Sequence, residues 1–197
     1  GGTESTCGNF KVHVFTGPGT FTVSAAGNSA GSNSVDYLVV AGGGAGGMGQ
    51  GGGGGGAGGY RESFPNPGSG GLTVCAQGYP ITVGAGGAGQ TRPSGNPYAA
   101  PGPSGKGADS VFSSITSAGG GMGGAGAGNC QQSGFTGGSG GGGGGRSPPG
   151  SPGTANPGGA GNTPPVSPPQ GNSGGASNNN PPRLTVASEP EPAPTLP

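Results

Sequence analysis

The side chains that most often carry chemistry in proteins are scarce in this sequence and far apart. Its three cysteines are Cys7, Cys75 and Cys130, and His13 is the only histidine. No CxxC spacing or cysteine–histidine pair suits a metal ion, so we expect no zinc site within one chain. An odd number of cysteines leaves one thiol unpaired or bonded to another chain. The one disulfide we consider is Cys75–Cys130, although the sequence does not fix the connectivity.

Carboxylates and glycine motifs form no catalytic pattern either. Asp36 and Asp109 each precede a predicted strand, where capping or local pairing is expected, and Glu189 and Glu191 lie in a proline-rich tail. His13 alternates with apolar residues on what we predict to be the solvent-facing side of a strand. The G-x-G-x-x-G pattern occurs trivially inside polyglycine and indicates no dinucleotide site. We therefore expect no enzyme and no cofactor.

The composition explains why side chains that could carry chemistry are few. Of 197 residues, 57 are glycine and 22 proline, whereas 26% are hydrophobic, 6% are charged and the net charge is zero. The absence of a basic stripe argues against nucleic-acid binding. No apolar run reaches the roughly 18 residues of a membrane-spanning helix, so no membrane insertion is expected.

Short alternating runs predict an all-β chain without α-helices. Residues 10–23 predict a β-hairpin around the turn Thr16-Gly-Pro-Gly19, with Phe10, Val12 and Val14 on its buried face. The run Val35–Ala41 predicts a buried strand. Further short strands are predicted at residues 72–76, 79–83, 110–117 and 184–187.

Glycine blocks follow directly from several of these strands, as at Gly51–Gly56, Gly119–Gly121 and Gly140–Gly145. Such blocks supply no side chains to a core and lose much backbone entropy on ordering. Non-glycine residues in 42–60 fall mostly at multiples of three, the period of a polyproline-II-like helix. The prediction is a small β-strand base carrying packed polyglycine-II-like helices; the alternative is a disordered linker.

Three regions follow from these shifts in composition. Residues 1–41 form a predicted N-terminal β-hairpin and strand module, and residues 42–146 a glycine-rich β/polyglycine-II domain. Residues 147–197 are rich in Pro, Gly, Ser and Asn and read as an extended segment and tail.

Five motifs follow one another in chain order: Phe15-Thr-Gly-Pro-Gly-Thr-Phe-Thr-Val23, Val35-Asp-Tyr-Leu-Val-Val-Ala-Gly-Gly-Gly44, Tyr79-Pro-Ile-Thr-Val-Gly-Ala-Gly-Gly87, Ser110-Val-Phe-Ser-Ser-Ile-Thr-Ser-Ala-Gly-Gly-Gly121 and Gly161-Asn-Thr-Pro-Pro-Val-Ser-Pro-Pro-Gln-Gly-Asn172. Together they resemble a glycine-rich domain of tailed-bacteriophage fibre and adhesin virion proteins. The resemblance covers about residues 10–175. Cys75, Cys130 and the proline-rich tail after Arg183 depart from that family's pattern.

The resemblance implies a non-enzymatic structural or host-attachment protein on the surface of a phage virion, in a tail, head or neck fibre or its adhesin tip. It also implies self-association as a homotrimer, contact with other virion proteins, and binding to a host cell-surface glycan or protein. Side chains that interrupt or join the glycine runs are the receptor-binding candidates: Tyr60, Arg61, Phe64, Tyr98 and Phe135. The alternative function is a protomer of an extracellular, secreted bacterial filament or matrix fibre.

Overall fold

The chain is built from short β-strands joined by long glycine segments, and the part that the structure describes contains no helix. A computed structural model describes residues 1–27, 33–49, 51–64, 71–89, 105–127, 130–145 and 155–177. The strands are β1 (Thr3–Cys7), β2 (Phe10–Val14), β3 (Gly19–Thr22), β4 (Ser34–Val35), β5 (Leu38–Val40), β6 (Tyr60–Glu62), β7 (Leu72–Thr73), β8 (Gly78–Thr82), β9 (Ser110–Phe112), β10 (Ile115–Ser117), β11 (Gly126–Ala127) and β12 (Cys130–Gln131). The predicted all-β class is confirmed.

All strand pairs are antiparallel, and the sheets are small. One sheet has four strands in the order β10-β9-β8-β3, and the others are the pairs β1-β2, β4-β7, β5-β6 and β11-β12. A compact apolar core lies between these sheets, formed by Val39, Val74, Tyr79 and Phe112. Phe21 adds its ring edge-on to Phe112, with centroids 5.9 Å apart, a favoured geometry for aromatic pairs.

The predicted hairpin over residues 10–23 is wrong, because its two strands belong to different sheets. β2 pairs with β1, with Cys7 opposite Phe10, and β3 pairs with β8, with Phe21 opposite Tyr79. The N-terminal hairpin is therefore β1–β2. Its turn has Gly8 at a φ of 59°, as a hairpin with glycine at its first central position requires.

The two faces of β2 are also reversed relative to the prediction. Phe10, Val12 and Val14 are exposed by 71%, 41% and 49%. His13 is instead half-buried, and its ring packs edge-on against Phe21 with centroids 5.1 Å apart. Alternation identified the two faces of the strand but not which of them packs against the protein.

The β-ladders continue in register into the glycine segments. In the β5–β6 pair, Val40 lies opposite Tyr60. Beyond it, the N–H groups of Ala41, Gly44 and Gly47 donate to the carbonyls of Gly59, Gly56 and Gly53, at 2.8–3.0 Å. The register is kept, while the spacing of the bonds becomes three residues. This period is the one that polyglycine-II-like helices require.

Residues 118–126 lie at the centre of these hydrogen bonds, and every one of them is buried. Three N–H groups, at Gly120, Gly123 and Gly126, donate in parallel to the carbonyls of Gly42, Ala45 and Met48. Its other bonds to backbone atoms reach four further segments: 51–59, 105–108, 132–138 and 139–142. The N–H groups of Ala118 and Gly119 donate instead to the side chains of Gln170 and Asp109, at 2.7 and 2.8 Å. Backbone polar groups in this interior are thus paired laterally with neighbouring segments of the same chain.

We call the hydrogen-bonded segments the glycine bundle: residues 41–49, 51–59, 85–87, 105–108, 118–126, 132–145, 156–160 and 172–177. The last two belong to the region predicted to be an extended segment. Gly140 and Gly143 donate to the carbonyls of Asn172 and Gly175, and Gly134 donates to Pro157. The packed unit therefore extends beyond residue 146. The predicted strand at 184–187 lies outside the described residues.

Close approach of backbones, not unusual dihedral angles, explains why the bundle needs glycine. Among the described glycines, only Gly2, Gly8 and Gly49 have positive φ. A Cβ added to Gly123 would overlap the carbonyl oxygen of Gly53, and one added to Gly121 would overlap that of Phe135. Each such carbonyl accepts or adjoins a lateral hydrogen bond, so it cannot move aside without breaking the bundle.

We predict that Gly123→Ala destabilises the protein by about 1–3 kcal/mol or more, because its methyl group overpacks the fully buried centre. Gly54→Ala is the matched control, since a Cβ there has no heavy atom within 4 Å. The control should leave stability unchanged or raise it by about 0.4–1 kcal/mol through the unfolded state. Thermal unfolding of both variants checks this, and equal melting temperatures would contradict the packing described for residues 118–126.

Candidate functional site

Two of the candidate receptor-binding residues lie on β6, which pairs with β5. Leu38 is opposite Glu62 and Val40 is opposite Tyr60. Residues opposite one another in an antiparallel pair share a face. Leu38, Val40 and Tyr60 are exposed by 61%, 50% and 47%, and we call them the β5–β6 patch. Leu38 and Val40 also line a cleft of about 260 Å³.

Tyr60 presents its ring to solvent with its hydroxyl fixed by a neighbour. The Oη atom donates a hydrogen bond of 2.5 Å to Oε2 of Glu62. This bond, with smaller contributions from burial and from the carboxylate charge, raises the pKa of Tyr60 above its ordinary value of 10.0. An oriented, exposed ring beside a carboxylate combines a stacking surface with a hydrogen-bond acceptor.

Arg61 is positioned differently from Tyr60. It lies opposite buried Val39 in the β5–β6 pair, and its Nη1 donates to the carbonyl of Thr116 on β10 at 3.4 Å. Arg61 therefore links β6 to the four-stranded sheet, and it does not share the face of Tyr60.

Phe64 follows β6 and is held by the buried residue before it. The hydroxyl of Ser63 donates to Oδ1 of Asp36 at 2.8 Å and accepts from the N–H of Tyr37 at 3.0 Å. This pair ties the chain next to Phe64 to the segment between β4 and β5. Phe64 itself is 68% exposed, so its ring is available to a partner.

A groove of about 810 Å³ separates Phe64 from the N-terminal hairpin. Its lining includes Phe10, Val12 and Phe21, and its charged or titratable groups among the described residues include Lys11 and Asp36. The sequence prediction missed this groove because the hairpin residues that line it were expected to be buried.

The other candidates are separated from this surface or lie outside the described residues. Phe135 is half-buried in the glycine bundle, where its N–H donates to Met122 and its carbonyl accepts from Gly141. Tyr98 lies outside the described residues. We call the strands β3 to β10 the β base. Tyr60 lies on β6 of this base and Phe64 follows β6, whereas Phe135 lies in the glycine bundle.

The predicted Cys75–Cys130 disulfide is not formed. Cys75 carries a free, exposed thiol, and its N–H is held by the hydroxyl oxygen of Tyr79 at 2.7 Å. Cys130 belongs to the β11–β12 pair, in a different sheet, and its side chain lies outside the described residues. Cys7, at the end of β1, is likewise a free, exposed thiol.

Within the described ranges, no three His, Cys, Asp or Glu side chains come together as metal ligands. Those ranges also contain no helix with the length and apolar character to span a membrane.

Comparison with known proteins places most of the chain in one family. The model of a family described as "Glycine-rich domain" matches residues 16–188. The chain belongs to this glycine-rich domain family. Comparison with curated proteins and with solved structures gives no match.

The matched region begins immediately after the β1–β2 hairpin and includes the glycine bundle and the strands that feed it. The bundle, β5 and β6 thus lie within the region that matches the family, whereas the hairpin precedes that region.

We predict that Glu62→Gln lowers the pKa of Tyr60 toward 10.0, because the carboxylate charge and its strong acceptor oxygen are lost. An ultraviolet titration of tyrosinate measures this, with Tyr60→Phe used to identify the Tyr60 component. In the wild type, the neutral hydroxyl is favoured and the bond to Glu62 persists to higher pH. An unchanged titration in the Glu62→Gln variant would mean that this hydrogen bond is absent in solution.

Proposed function

We propose that the protein is a non-enzymatic structural and host-attachment protein of a bacteriophage virion, at the surface of a tail, head or neck fibre or in its adhesin tip. The observation that carries this proposal is the glycine bundle, in which segments hydrogen-bond laterally around a fully buried centre. We further propose that these segments are polyglycine-II-type helices.

The bundle supports a mechanical role because its stability depends on backbone geometry. Its contacts join backbone to backbone through hydrogen bonds of 2.7–3.1 Å between segments that are distant in the sequence. Extended chains cross-linked on several sides resist bending and leave few N–H and C=O groups for water or a protease. Such a body suits a particle that must survive outside a cell.

Host recognition is assigned in this proposal to side chains on the β base. Tyr60 and Phe64 are exposed aromatic residues on a rigid support, and neither contributes to the buried core. Exposed aromatic rings with a nearby carboxylate suit a host-surface glycan, which offers apolar ring faces and hydroxyl donors. A host protein is the second class of receptor.

The proposal includes self-association, with a homotrimer as the expected assembly and other virion proteins as neighbours. Among the described residues few side chains are buried; the buried hydrophobic ones are Val39, Ala41, Val74, Tyr79, Phe112, Ala118, Met122 and Ala125. A small core favours further burial between copies.

A second candidate function is the protomer of an extracellular bacterial filament. It is favoured by the β1–β2 hairpin, whose strands pair with no other described strand and leave their outer edges open. Open edges allow strands of neighbouring copies to pair, and repeated pairing builds a filament.

We predict that the purified protein binds a bacterial surface polysaccharide on a glycan array, and that the double substitution Tyr60→Ala and Phe64→Ala weakens binding about tenfold or more. Thr136→Ala, at an exposed position of the glycine bundle, is the matched control and should bind as the wild type does. Thermal unfolding confirms that each variant remains folded.

Electron microscopy of the same sample separates the two functions. Discrete particles of a few copies, together with glycan binding that depends on Tyr60 and Phe64, are expected of a fibre component. An open helical polymer without glycan binding would overturn the attachment proposal in favour of the filament. Binding that the double substitution leaves unchanged would place recognition elsewhere on the protein.

A further inference from the structure

The β1–β2 hairpin separates its charged from its uncharged residues. Pairs opposite one another, and therefore on one face, are Thr3–Val14, Ser5–Val12 and Cys7–Phe10. None of these six residues carries a formal charge, and all six are exposed. We call them the hairpin face.

The charged residues of the hairpin lie in the other set of pairs. Glu4 is opposite His13, and Nζ of Lys11 contacts Oε2 of Glu4 at 2.8 Å. That ion pair is itself exposed, so it adds little stability. The hairpin thus presents one side rich in apolar groups and one side where charges neutralise each other.

This hairpin lacks the packing that such an element needs. β1 and β2 pack closely only against each other among the described strands. The ring contact between His13 and Phe21 links the hairpin to the β base. A two-stranded hairpin is marginally stable in water unless a further surface covers it.

The uncovered apolar surface has the size of the patches that often mark interaction sites. Phe10 and Phe64 line the same groove and are exposed by 71% and 68%, which amounts to roughly 200–350 Å² of aromatic surface. Val12 and Val14, exposed by 41% and 49%, extend it toward the roughly 300–600 Å² of the largest apolar patch on a typical monomer, a patch that is often functional. A stable interface buries about 800 Å² on each partner, and this surface supplies its apolar centre.

We propose that the hairpin face and the adjoining groove form the surface through which copies of this chain associate. A second copy is the occupant because the hairpin face has no like charges to repel its own duplicate, and because interface centres are depleted in charge. Lys11 and Asp36, which line the groove, have opposite charges, so two copies can also complement each other there. Phe10 and Val12 of one copy then pack against their equivalents about the symmetry axis. This assignment rests on the self-association included in the proposed function.

Cys7 provides a position marker for this interface. It lies directly opposite Phe10, and its thiol is free and exposed. Copies related by a rotation axis through the hairpin face place their Cys7 thiols at equal distances from that axis. A short bismaleimide cross-linker should then join Cys7 to Cys7, by a thioether bond at each end, in the full chain carrying Cys75→Ser and Cys130→Ser.

The decisive experiment measures mass in solution by light scattering for the full chain. The wild type should be a trimer, and the double substitution Phe10→Ser and Val12→Ser should convert it to a monomer. The control Leu38→Ser with Val40→Ser removes equally exposed apolar groups from the β5–β6 patch and should remain a trimer. Far-ultraviolet circular dichroism and protease resistance show whether the glycine bundle is intact in each variant.

The outcomes separate this surface from the broader proposal. A trimer that persists with Phe10→Ser and Val12→Ser, and without Cys7 cross-links, overturns the hairpin surface while self-association stands. A monomeric wild type overturns both self-association and the surface. Loss of the trimer in the Leu38→Ser and Val40→Ser control, with the hairpin variant still trimeric, would move the interface to the β5–β6 patch.

Discussion

The lateral backbone hydrogen bond between glycine segments, which have no Cβ atoms, is the interaction on which this structure depends. An isolated extended glycine chain satisfies none of its own polar groups, so each N–H and C=O needs a neighbour. The buried segment 118–126 finds partners on several sides. Side chains would separate these backbones, as the overlap of a Cβ at Gly123 with Gly53 shows. Ordering glycine is costly, and the density of these bonds offsets that cost.

The β base solves the problem of register in the glycine bundle. Repeated glycine has no side chains to distinguish one alignment from the next. A shift of one glycine segment along another by one three-residue period would therefore change the free energy little. The β5–β6 pair fixes Val40 opposite Tyr60, and the same register continues from Ala41 and Gly59 into the bundle. The β8–β9 pair likewise continues to the bond between Ala108 and Ala85. A small core around Phe112 and Tyr79 thereby determines how much longer glycine segments align.

The need for lateral hydrogen bonds and the need for a fixed register explain which features could be predicted from the sequence. Alternation and short apolar runs identified β5, β8 and the β9–β10 region, because a strand needs only local residues to be recognised. The sequence around residues 16–19 predicts a hairpin between β2 and β3. In the structure β3 pairs instead with the distant strand β8, with Phe21 opposite Tyr79, and β2 pairs with β1. Period alone also could not decide that His13 packs inward while Phe10 stays exposed. At the candidate site, interruption of glycine runs pointed to Tyr60, Arg61, Phe64 and Phe135 alike. The sequence could not show that Arg61 donates to the carbonyl of Thr116 or that the backbone of Phe135 is hydrogen-bonded within the glycine bundle, because both contacts are to distant segments.

The buried glycine bundle is separate from the exposed side chains to which we assign recognition, and this separation is the strongest argument for the display function that we propose. A Cβ at buried bundle positions such as Gly123 would overlap a neighbouring backbone, whereas Tyr60 and Phe64 are exposed and lie outside the buried core. A scaffold of this kind tolerates new surface side chains because its hydrogen bonds involve none of them. A protein that must stay rigid outside a cell while its binding residues vary gains directly from that division.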